Sequence, residues 1–274
     1  MNILDRIVEY KRTQEVPRRM RELPLEAVQA RAAAAPPTCD LVAALRSVKG
    51  VALIAEVKRA SPSRGVLRSE LDPVETAAIY AANGAAAISV LTDEPFFQGS
   101  LTYLAQIRQR FAMPQEEENQ PGPVPLLRKD FILHPYQIYE TRAAGADALL
   151  LIAAILSDAD LAELLALTHR LGMAALVEVH SAEELARVLP LAPRLIGANN
   201  RNLRDFSVNL QSCLSLRPMV PPDVCFVAES GIHTQADVAR LAAANVDAML
   251  VGEALMFAPD VGAKVQELAN GHKG

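Results

Sequence analysis

Residues 51–65 read VALIAEVKRASPSRG, an apolar run that ends in charged and turn-forming residues. The run has no polar alternation, which is typical of a strand buried on both faces. Residues two apart on a strand point to the same face, roughly 6 to 7 Å from each other, so Glu56 and Lys58 should project together at its carboxyl end. Taken alone, this pair is better explained as a structural ion pair.

Seven similar runs follow the first one, separated by amphipathic segments rich in Ala, Leu, Glu and Arg. The eight predicted strands are 51–57, 85–91, 124–128, 147–151, 173–179, 194–199, 223–228 and 246–251. The pairs Asp72-Pro73 and Ser157-Asp158 and the S-x-x-E spacing from Ser181 to Glu184 predict helix starts. Gly84, Gly145 and Gly172 stand where helices should end.

Eight βα units predict an α/β fold, a (β/α)8 TIM barrel with an N-terminal helical extension. A doubly wound sheet is the alternative, but no G-x-G-x-x-G turn follows the first strand. We expect a single domain overall, in which residues 1–49 form helices packed on a barrel of residues 50–274. The polar, acidic stretch 113–123 precedes the third strand, so we expect a dispensable loop on the amino-terminal face.

Composition narrows the class of protein. The net charge of −5 and a pI near 5.6 leave no basic footprint for nucleic acid or an anionic membrane. No apolar run approaches the roughly 20 residues of a membrane helix. Cys39, Cys213 and Cys225 lie far apart without a CxxC motif, which suits free thiols in a reducing cytoplasm. No histidine has a partner at metal-ligand spacing, so we expect no metal site.

Unusual polar residues follow six of the predicted strands, at the ends where barrel enzymes build their sites. They are Glu56 and Lys58, Arg128 to Asp130, Glu178, Asn199 to Arg201, Glu229 to Gly231, and Gly252-Glu253. Closely spaced lysines and glutamates shift each other's pKa values, which lets one donate a proton and another accept it. The pattern predicts acid–base chemistry on a small anionic substrate.

Small-residue turns after the last two strands predict a phosphate site. The turns 229–232 and 251–254 each lead into a helix, where backbone N–H groups and the helix dipole favour an anion. Ser61 and Arg64, which follow the first strand, add a hydroxyl group and positive charge.

Seven ordered blocks resemble the indole-3-glycerol phosphate synthase family over essentially the whole chain. They are IAEVKRASPSRG (54–65), ISVLTDEPFFQGS (88–100), LLRKDFILHPYQIYE (126–140), ALVEVH (175–180), IGANNRNL (196–203), VAESGI (227–232) and MLVGEALM (249–256). The resemblance implies a lyase of tryptophan biosynthesis without metal or cofactor. It would close the indole ring of 1-(2-carboxyphenylamino)-1-deoxyribulose 5-phosphate and release CO₂ and water.

The resemblance also implies roles for individual residues. Lys129 would be the general acid at the ketone oxygen and Glu178 the general base. Lys58 and Glu56 would also be catalytic, with Lys58 holding the anthranilate carboxylate and able to donate a proton in dehydration. The residues implied to bind and position the substrate are Asn199, Arg201, Glu229, Ser230 and Phe131. Those implied to bind phosphate are Ser61, the turn at Ser230-Gly231 and the turn at Gly252-Glu253.

Two alternatives remain at this point. One is a barrel similar to phosphoribosylanthranilate isomerase, and the other is a phosphate-binding barrel without activity. Phe96, Phe97 and Phe131 either line a slot for an aromatic ring or pack the barrel mouth. We expect a cytoplasmic monomer or weak homo-oligomer that binds a small phosphorylated substrate and neither nucleic acid nor membrane.

Overall fold

Eight parallel strands close into a barrel in the computed structural model, which describes residues 3–62, 64–112, 124–201 and 207–270. In chain order the barrel strands are β1 Ala52–Val57, β2 Ala87–Leu91, β3 Leu126–Lys129, β4 Ala148–Ile152, β5 Ala174–Val179, β6 Leu195–Asn199, β7 Cys225–Glu229 and β8 Ala248–Val251. Each strand pairs with the next, and β8 pairs with β1. The predicted TIM barrel is confirmed, with each strand end within two residues of its predicted position.

Helices connect the strands on the outside of the barrel. The α-helices after β1 are Pro73–Ala82, Glu94–Phe97, Leu101–Ala112, Pro135–Ala143, Asp158–Arg170, Ala182–Val188, Gln211–Leu216, Gln235–Ala243, Glu253–Met256 and Val261–Ala269. Short 3-10 turns occur at Ala153–Ile155, Leu189–Leu191 and Arg217–Met219. A two-stranded hairpin, Ala60–Ser61 with Gly65–Val66, follows β1.

The predicted helix starts are confirmed. The carboxylate of Asp72 accepts from the N–H groups of Val74 and Glu75, and Ser157 caps the helix that follows it. Ser181 accepts from the N–H of Glu184 at 3.2 Å. The return bond of this capping box goes one residue further back, because Glu184 accepts the backbone N–H of His180 at 2.7 Å.

Strand alternation decides which residues reach the barrel interior. Ala52 and Ile54 of β1, Leu127 of β3 and Leu176 of β5 pack inside the barrel, whereas Leu53 and Ala55 pack toward the outer helices. Successive side chains point to opposite faces, so the inward row of each strand continues two residues later. Carried to the carboxyl end, this row predicts inward positions for Glu56, Lys129, Glu178, Asn199, Glu229 and Gly252.

The chain before β1 forms helices Ile3–Tyr10, Val16–Glu22, Leu25–Ala34 and Leu41–Arg46, with a π-helical turn at Lys11–Glu15. Leu41, Val42 and Leu45 pack into the barrel interior. The helix Leu25–Ala34 packs on Pro135–Ala143. The helical extension is therefore present, while the domain boundary at residue 49 remains a prediction. The acidic stretch 113–123 lies outside the described residues.

Among the described residues, the structure contains no helix with the length and apolar character that crossing a membrane requires.

Candidate active site

One cavity lies at the carboxyl ends of the strands; Arg64, Arg128 and Asn200 do not line it, whereas the residues predicted to react with the substrate or to bind it and its phosphate all do. These residues are Glu56, Lys58, Ser61, Lys129, Phe131, Glu178, Asn199, Arg201, Glu229, Ser230, Gly231, Gly252 and Glu253. They come from six different strands and the segments that follow them. The structure thus brings the predicted residues together, whereas their individual roles remain predictions.

Lys129 is held between two buried glutamates. Its Nζ lies 2.9 Å from Glu178 Oε2 and 2.5 Å from Glu229 Oε2. The side chains of Glu178 and Glu229 are only 3% and 1% exposed. The ammonium group therefore donates to two carboxyl groups that have almost no contact with solvent.

Two glycines make room for the buried glutamates. A methyl group on Gly197 of β6 would clash with Glu229 Oε1, and one on Gly252 would clash with Glu56 Oε2. Both glycines lie on the inward row of their strands, where any side chain would fill the space above the barrel core. Their presence in the blocks IGANNRNL and MLVGEALM is explained by this close approach.

Lys129, Glu178 and Glu229 shift each other's pKa values. Burial alone would lower the pKa of Lys129, but the charges of Glu178 and Glu229 outweigh burial and raise it above its ordinary value. Burial alone would raise the pKa of Glu178, but Lys129 and then His180 lower it. Burial raises the pKa of Glu229, and Lys129 opposes this only partly because the charge of Glu178 adds to it. The two glutamates thus differ in proton affinity, as a base and a proton carrier should.

Glu56 and Lys58 form the ion pair that the first strand predicted, with Lys58 Nζ 2.8 Å from Glu56 Oε2. Both residues line the same cavity as Lys129. The pair therefore places a second ammonium group at the barrel mouth.

The predicted phosphate turns have distinctive backbone geometry. Ser230 and Gly231 both have left-handed φ values, +67° and +76°. Asn200 supports this turn, because its Nδ2 donates to the Ser230 carbonyl oxygen at 3.0 Å. The two residues form a tight turn after β7, and backbone N–H groups at such a turn are candidates to bind an anion.

The side chain of Glu253 binds two arginines from other loops. Arg201 Nη2 lies 2.8 Å from Glu253 Oε2, and Arg64 Nε lies 3.0 Å from Glu253 Oε1. These two ion pairs thus link the hairpin after β1 and the segment after β6 to the turn after β8. A phosphate at this turn would have two guanidinium groups nearby.

Aromatic and aliphatic side chains cover another part of the cavity. Phe97 and Phe131 both line it, with ring centroids 6.0 Å apart. Phe96 instead packs edge-on against Tyr10, at 5.9 Å. Ile3, Leu4 and Ile7 of the first helix also line the cavity. The sequence predicted helices packed on the barrel in this segment but not the end of the barrel that they cover.

The sequence analysis assigned no role to His180, yet this residue lies beside Glu178. Its Nε2 is 3.4 Å from Glu178 Oε1, and its Nδ1 is 3.4 Å from Glu184 Oε2. Neither ring nitrogen makes a well-aligned hydrogen bond within the described ranges. Its position next to Glu178 in the block ALVEVH was the available signal.

A buried network behind the cavity was also missed. Lys11 Nζ lies 2.7 Å from Asp130 Oδ1 and 3.0 Å from Asp93 Oδ2, and all three side chains have no solvent exposure. Asp130 also accepts from Arg128 at 2.9 Å. The two neighbours of Lys129 along the chain are therefore fixed by ion pairs.

No group of three or more His, Cys, Asp or Glu residues is arranged to hold a metal ion in the part of the chain that the structure describes. The expected independence from metals and cofactors stays a prediction.

Comparisons with known proteins agree with this geometry. The family model described as indole-3-glycerol phosphate synthase matches residues 4–268. An indole-3-glycerol phosphate synthase from Roseiflexus sp. (strain RS-1) is 52% identical over 274 residues, covering 98% of both chains. One from Albidiferax ferrireducens is 51% identical, covering 97% of this chain and 98% of the relative.

A solved structure supports the fold alone. The 3-hexulose-6-phosphate synthase from Salmonella typhimurium superposes with a TM-score of 0.63 at 11% identity, covering 81% of this chain and 98% of that chain. With the family model matching nearly the whole sequence and relatives about half identical, the chain belongs to the indole-3-glycerol phosphate synthase family.

Proposed function

We propose that this chain is a carboxy-lyase that closes the indole ring of 1-(2-carboxyphenylamino)-1-deoxyribulose 5-phosphate in tryptophan biosynthesis. The single observation that carries the proposal is the Lys129 ammonium group held between Glu178 and Glu229 in a cavity with phosphate-binding turns. Membership of the family supports the same reaction.

Lys129 is the general acid. Ring closure begins when the aromatic carbon that bears the carboxylate attacks the ketone carbon, and the ketone oxygen then needs a proton. The ammonium group of Lys129, at the carboxyl end of β3, supplies this proton. The charge of its glutamate neighbours outweighs burial and keeps this amine protonated until a more basic oxygen forms beside it.

Glu178 is the general base. After CO₂ has left, dehydration removes a proton from the five-membered ring as the hydroxyl group leaves. The lowered pKa of Glu178 keeps this group ionised at neutral pH, ready to accept that proton. Lys129 Nζ, at 2.9 Å, then receives the proton in turn.

The remaining residues hold the substrate. Lys58 pairs with the anthranilate carboxylate, and Glu56 fixes Lys58 in place. Asn199 and Arg201 bind the substrate from the end of β6, and Phe131 with Phe97 packs on the aromatic ring.

The phosphate group binds where the backbone offers N–H donors. Ser61 and the turns Ser230-Gly231 and Gly252-Glu253 form this site, in the same cavity as the aromatic pair. Arg64 and Arg201 both pair with the single carboxylate of Glu253, so their two positive charges exceed its one negative charge. We infer a cytoplasmic enzyme, monomeric or weakly oligomeric, whose partner is the small phosphorylated substrate and not nucleic acid.

The cysteines argue against the isomerase alternative, which requires a cysteine base at a strand end. Burial raises the pKa of Cys213 to about 11 and that of Cys225 to about 12, so both thiols stay protonated at neutral pH. Among the described residues, no cysteine lines the cavity. Intact Lys58, Lys129 and Glu178 argue against an inactive barrel.

The direct test is incubation of the purified chain with the carboxyphenylamino substrate while the fluorescence of the indole product is followed. We expect product formation that depends on enzyme concentration and an equal release of CO₂. Conversion of phosphoribosylanthranilate instead would support the isomerase alternative, and phosphate binding without turnover would support the inactive barrel.

A further inference from the structure

The proposed reaction consumes one proton in each turnover. The carboxylate leaves as CO₂, and the electron pair of the broken bond stays with the ring. The ketone oxygen leaves as water and so gains two protons, whereas the five-membered ring gives up one as its double bond forms. Glu178 can return the ring proton to Lys129, but one further proton must be supplied.

Two buried carboxyl groups share a single ammonium group in the site. Glu178 Oε2 and Glu229 Oε2 lie 2.9 Å and 2.5 Å from Lys129 Nζ. Glu56, which has its own partner in Lys58, adds a further negative charge to the cavity. Two carboxyl groups this close to each other and almost fully buried resist ionising together, so one of them holds a proton.

The surroundings of the two glutamates decide which one holds it. Glu178 Oε1 faces the His180 ring at 3.4 Å. Glu229 Oε1 is buried against Gly197 and has no hydrogen-bond partner among the described residues. Burying a charged oxygen without a partner costs far more than burying a neutral carboxyl group. The proton therefore belongs on Glu229.

The shifts in proton affinity agree with this assignment. Burial raises the pKa of Glu229, and the attraction of Lys129 is partly cancelled by repulsion from Glu178 and Glu56. The pKa of Glu178 is lowered in spite of its burial, by Lys129 and His180. The pKa values of the two neighbouring carboxyl groups are thus shifted in opposite directions.

We propose that Glu229 is protonated in the resting enzyme and stores the proton that each turnover consumes, which it delivers through Lys129. This inference rests on the proposed function. After Lys129 has protonated the ketone oxygen, the O–H bond of Glu229 breaks and an N–H bond forms on Lys129. The restored ammonium group then protonates the hydroxyl group that leaves as water. Glu229 remains as a carboxylate until it takes a proton from solvent after the product has left.

Infrared difference spectroscopy tests the stored proton without any turnover. The spectrum of Glu229→Gln subtracted from that of the wild type at pH 7 should show the C=O band of a protonated carboxylic acid. Glu184→Gln is the matched control. The pKa of Glu184 is lowered, because its bonds to His180 outweigh its burial, so that variant should lose a carboxylate band instead.

A second variant tests whether the charge of Glu178 helps to keep Glu229 protonated. Glu178→Gln removes the negative charge that raises the pKa of Glu229, so the acid band should titrate away at lower pH than in the wild type. No acid band in the wild-type minus Glu229→Gln spectrum would overturn the proposal. An acid band with unchanged titration in Glu178→Gln would also overturn it, because the shared ammonium group would then not couple the two glutamates.

Steady-state kinetics test the delivery of the proton. Glu229→Gln keeps the shape of the side chain but cannot supply a proton, so kcat should fall at least about tenfold. Glu229→Asp, which can still be protonated, should recover part of this loss. Wild-type kcat in a folded Glu229→Gln variant would overturn the stored-proton role.

The failures can be told apart. If Glu229→Gln does not fold, the titration of the acid band in the wild type and the kcat of Glu229→Asp decide the question. A wild-type chain that forms no indole product would overturn the proposed function. An active wild type without the acid band would overturn only the further inference.

Discussion

Lys129 and Glu178 show how single residues carry the proposed chemistry. Lys129→Ala removes the acid and Glu178→Gln removes the base, so we expect each change to lower kcat at least about 100-fold. Steady-state assays of indole formation measure the effect. Lys264→Ala, which breaks a helix-surface pair with Glu267, is the control and should keep wild-type kcat. Activity within twofold of wild type in Glu178→Gln would remove Glu178 from the mechanism.

Gly197 leaves the space that the side chain of Glu229 occupies. Its added methyl group would meet Glu229 Oε1 and the side chain of Leu176, so Gly197→Ala must displace Glu229. We expect a loss of about 1–3 kcal/mol in the free energy of unfolding, together with lower kcat. Urea unfolding and kinetic assays check both effects.

The control for Gly197 is another glycine without a left-handed φ. A methyl group on Gly262 would meet the flexible side chain of Asn83, away from the cavity. Gly262→Ala should therefore leave kcat unchanged. An equal loss of kcat in both variants would show that the clash with Glu229 is not the cause.

At the scale of elements, Lys11 joins the N-terminal helices to the loops after β2 and β3. Its ammonium group has no solvent exposure and faces Asp93 and Asp130. Lys11→Met leaves Asp93 without this cation and Asp130 with Arg128 alone, so we expect a loss of about 3–5 kcal/mol in the free energy of unfolding. Arg18→Met removes an exposed pair with Glu22 and should cost about 1 kcal/mol or less. Similar losses in the two variants would contradict the buried network.

The pH dependence of this loss has a definite sign. Burial alone would raise the pKa of Asp130, but Lys11 and Arg128 hold it well below its ordinary value. A lowered pKa stabilises the fold at neutral pH and ceases to do so as the pH falls through the folded-state value. Without Lys11 the pKa values of both carboxyl groups rise, so the variant depends less on their ionisation and loses less stability in acid than the wild type does. The difference between Lys11→Met and wild type should therefore shrink below about pH 5, as urea unfolding at several pH values would show.

At the scale of the whole molecule, the two ends of the barrel have separate tasks. The stretch 113–123 lies outside the described residues, and because it precedes β3 in the sequence we predict that it belongs to the amino-terminal end. Deletion of residues 114–122 should keep kcat and KM at wild-type values. Deletion of residues 62–64, in the hairpin at the carboxyl end, is the matched control and should raise KM because Arg64 is lost. An inactive but folded 114–122 deletion would mean that this stretch contributes to the site.

The barrel and most of its site could be predicted because they follow from local rules. Buried parallel strands show as apolar runs, whereas the structure was needed to show that the row of Glu56, Lys129 and Glu178 is the inward one. The carboxyl ends of parallel strands meet at one end of a barrel, so the residues found there had to converge. Lys11 gave no such signal, because its partner Asp130 lies 119 residues away in the chain.

The sequence by itself determined the eight strands and the end of the barrel at which the polar residues gather, because the periods of strand and helix are properties of the local chain. Only the tertiary structure decided that Lys129 is shared by Glu178 and Glu229, that Gly197 clears the space for Glu229, and that Lys11 neutralises Asp130. Those facts depend on distances between segments remote in sequence. Burial and charge set the protonation of each group there, and neither is defined until the barrel has closed.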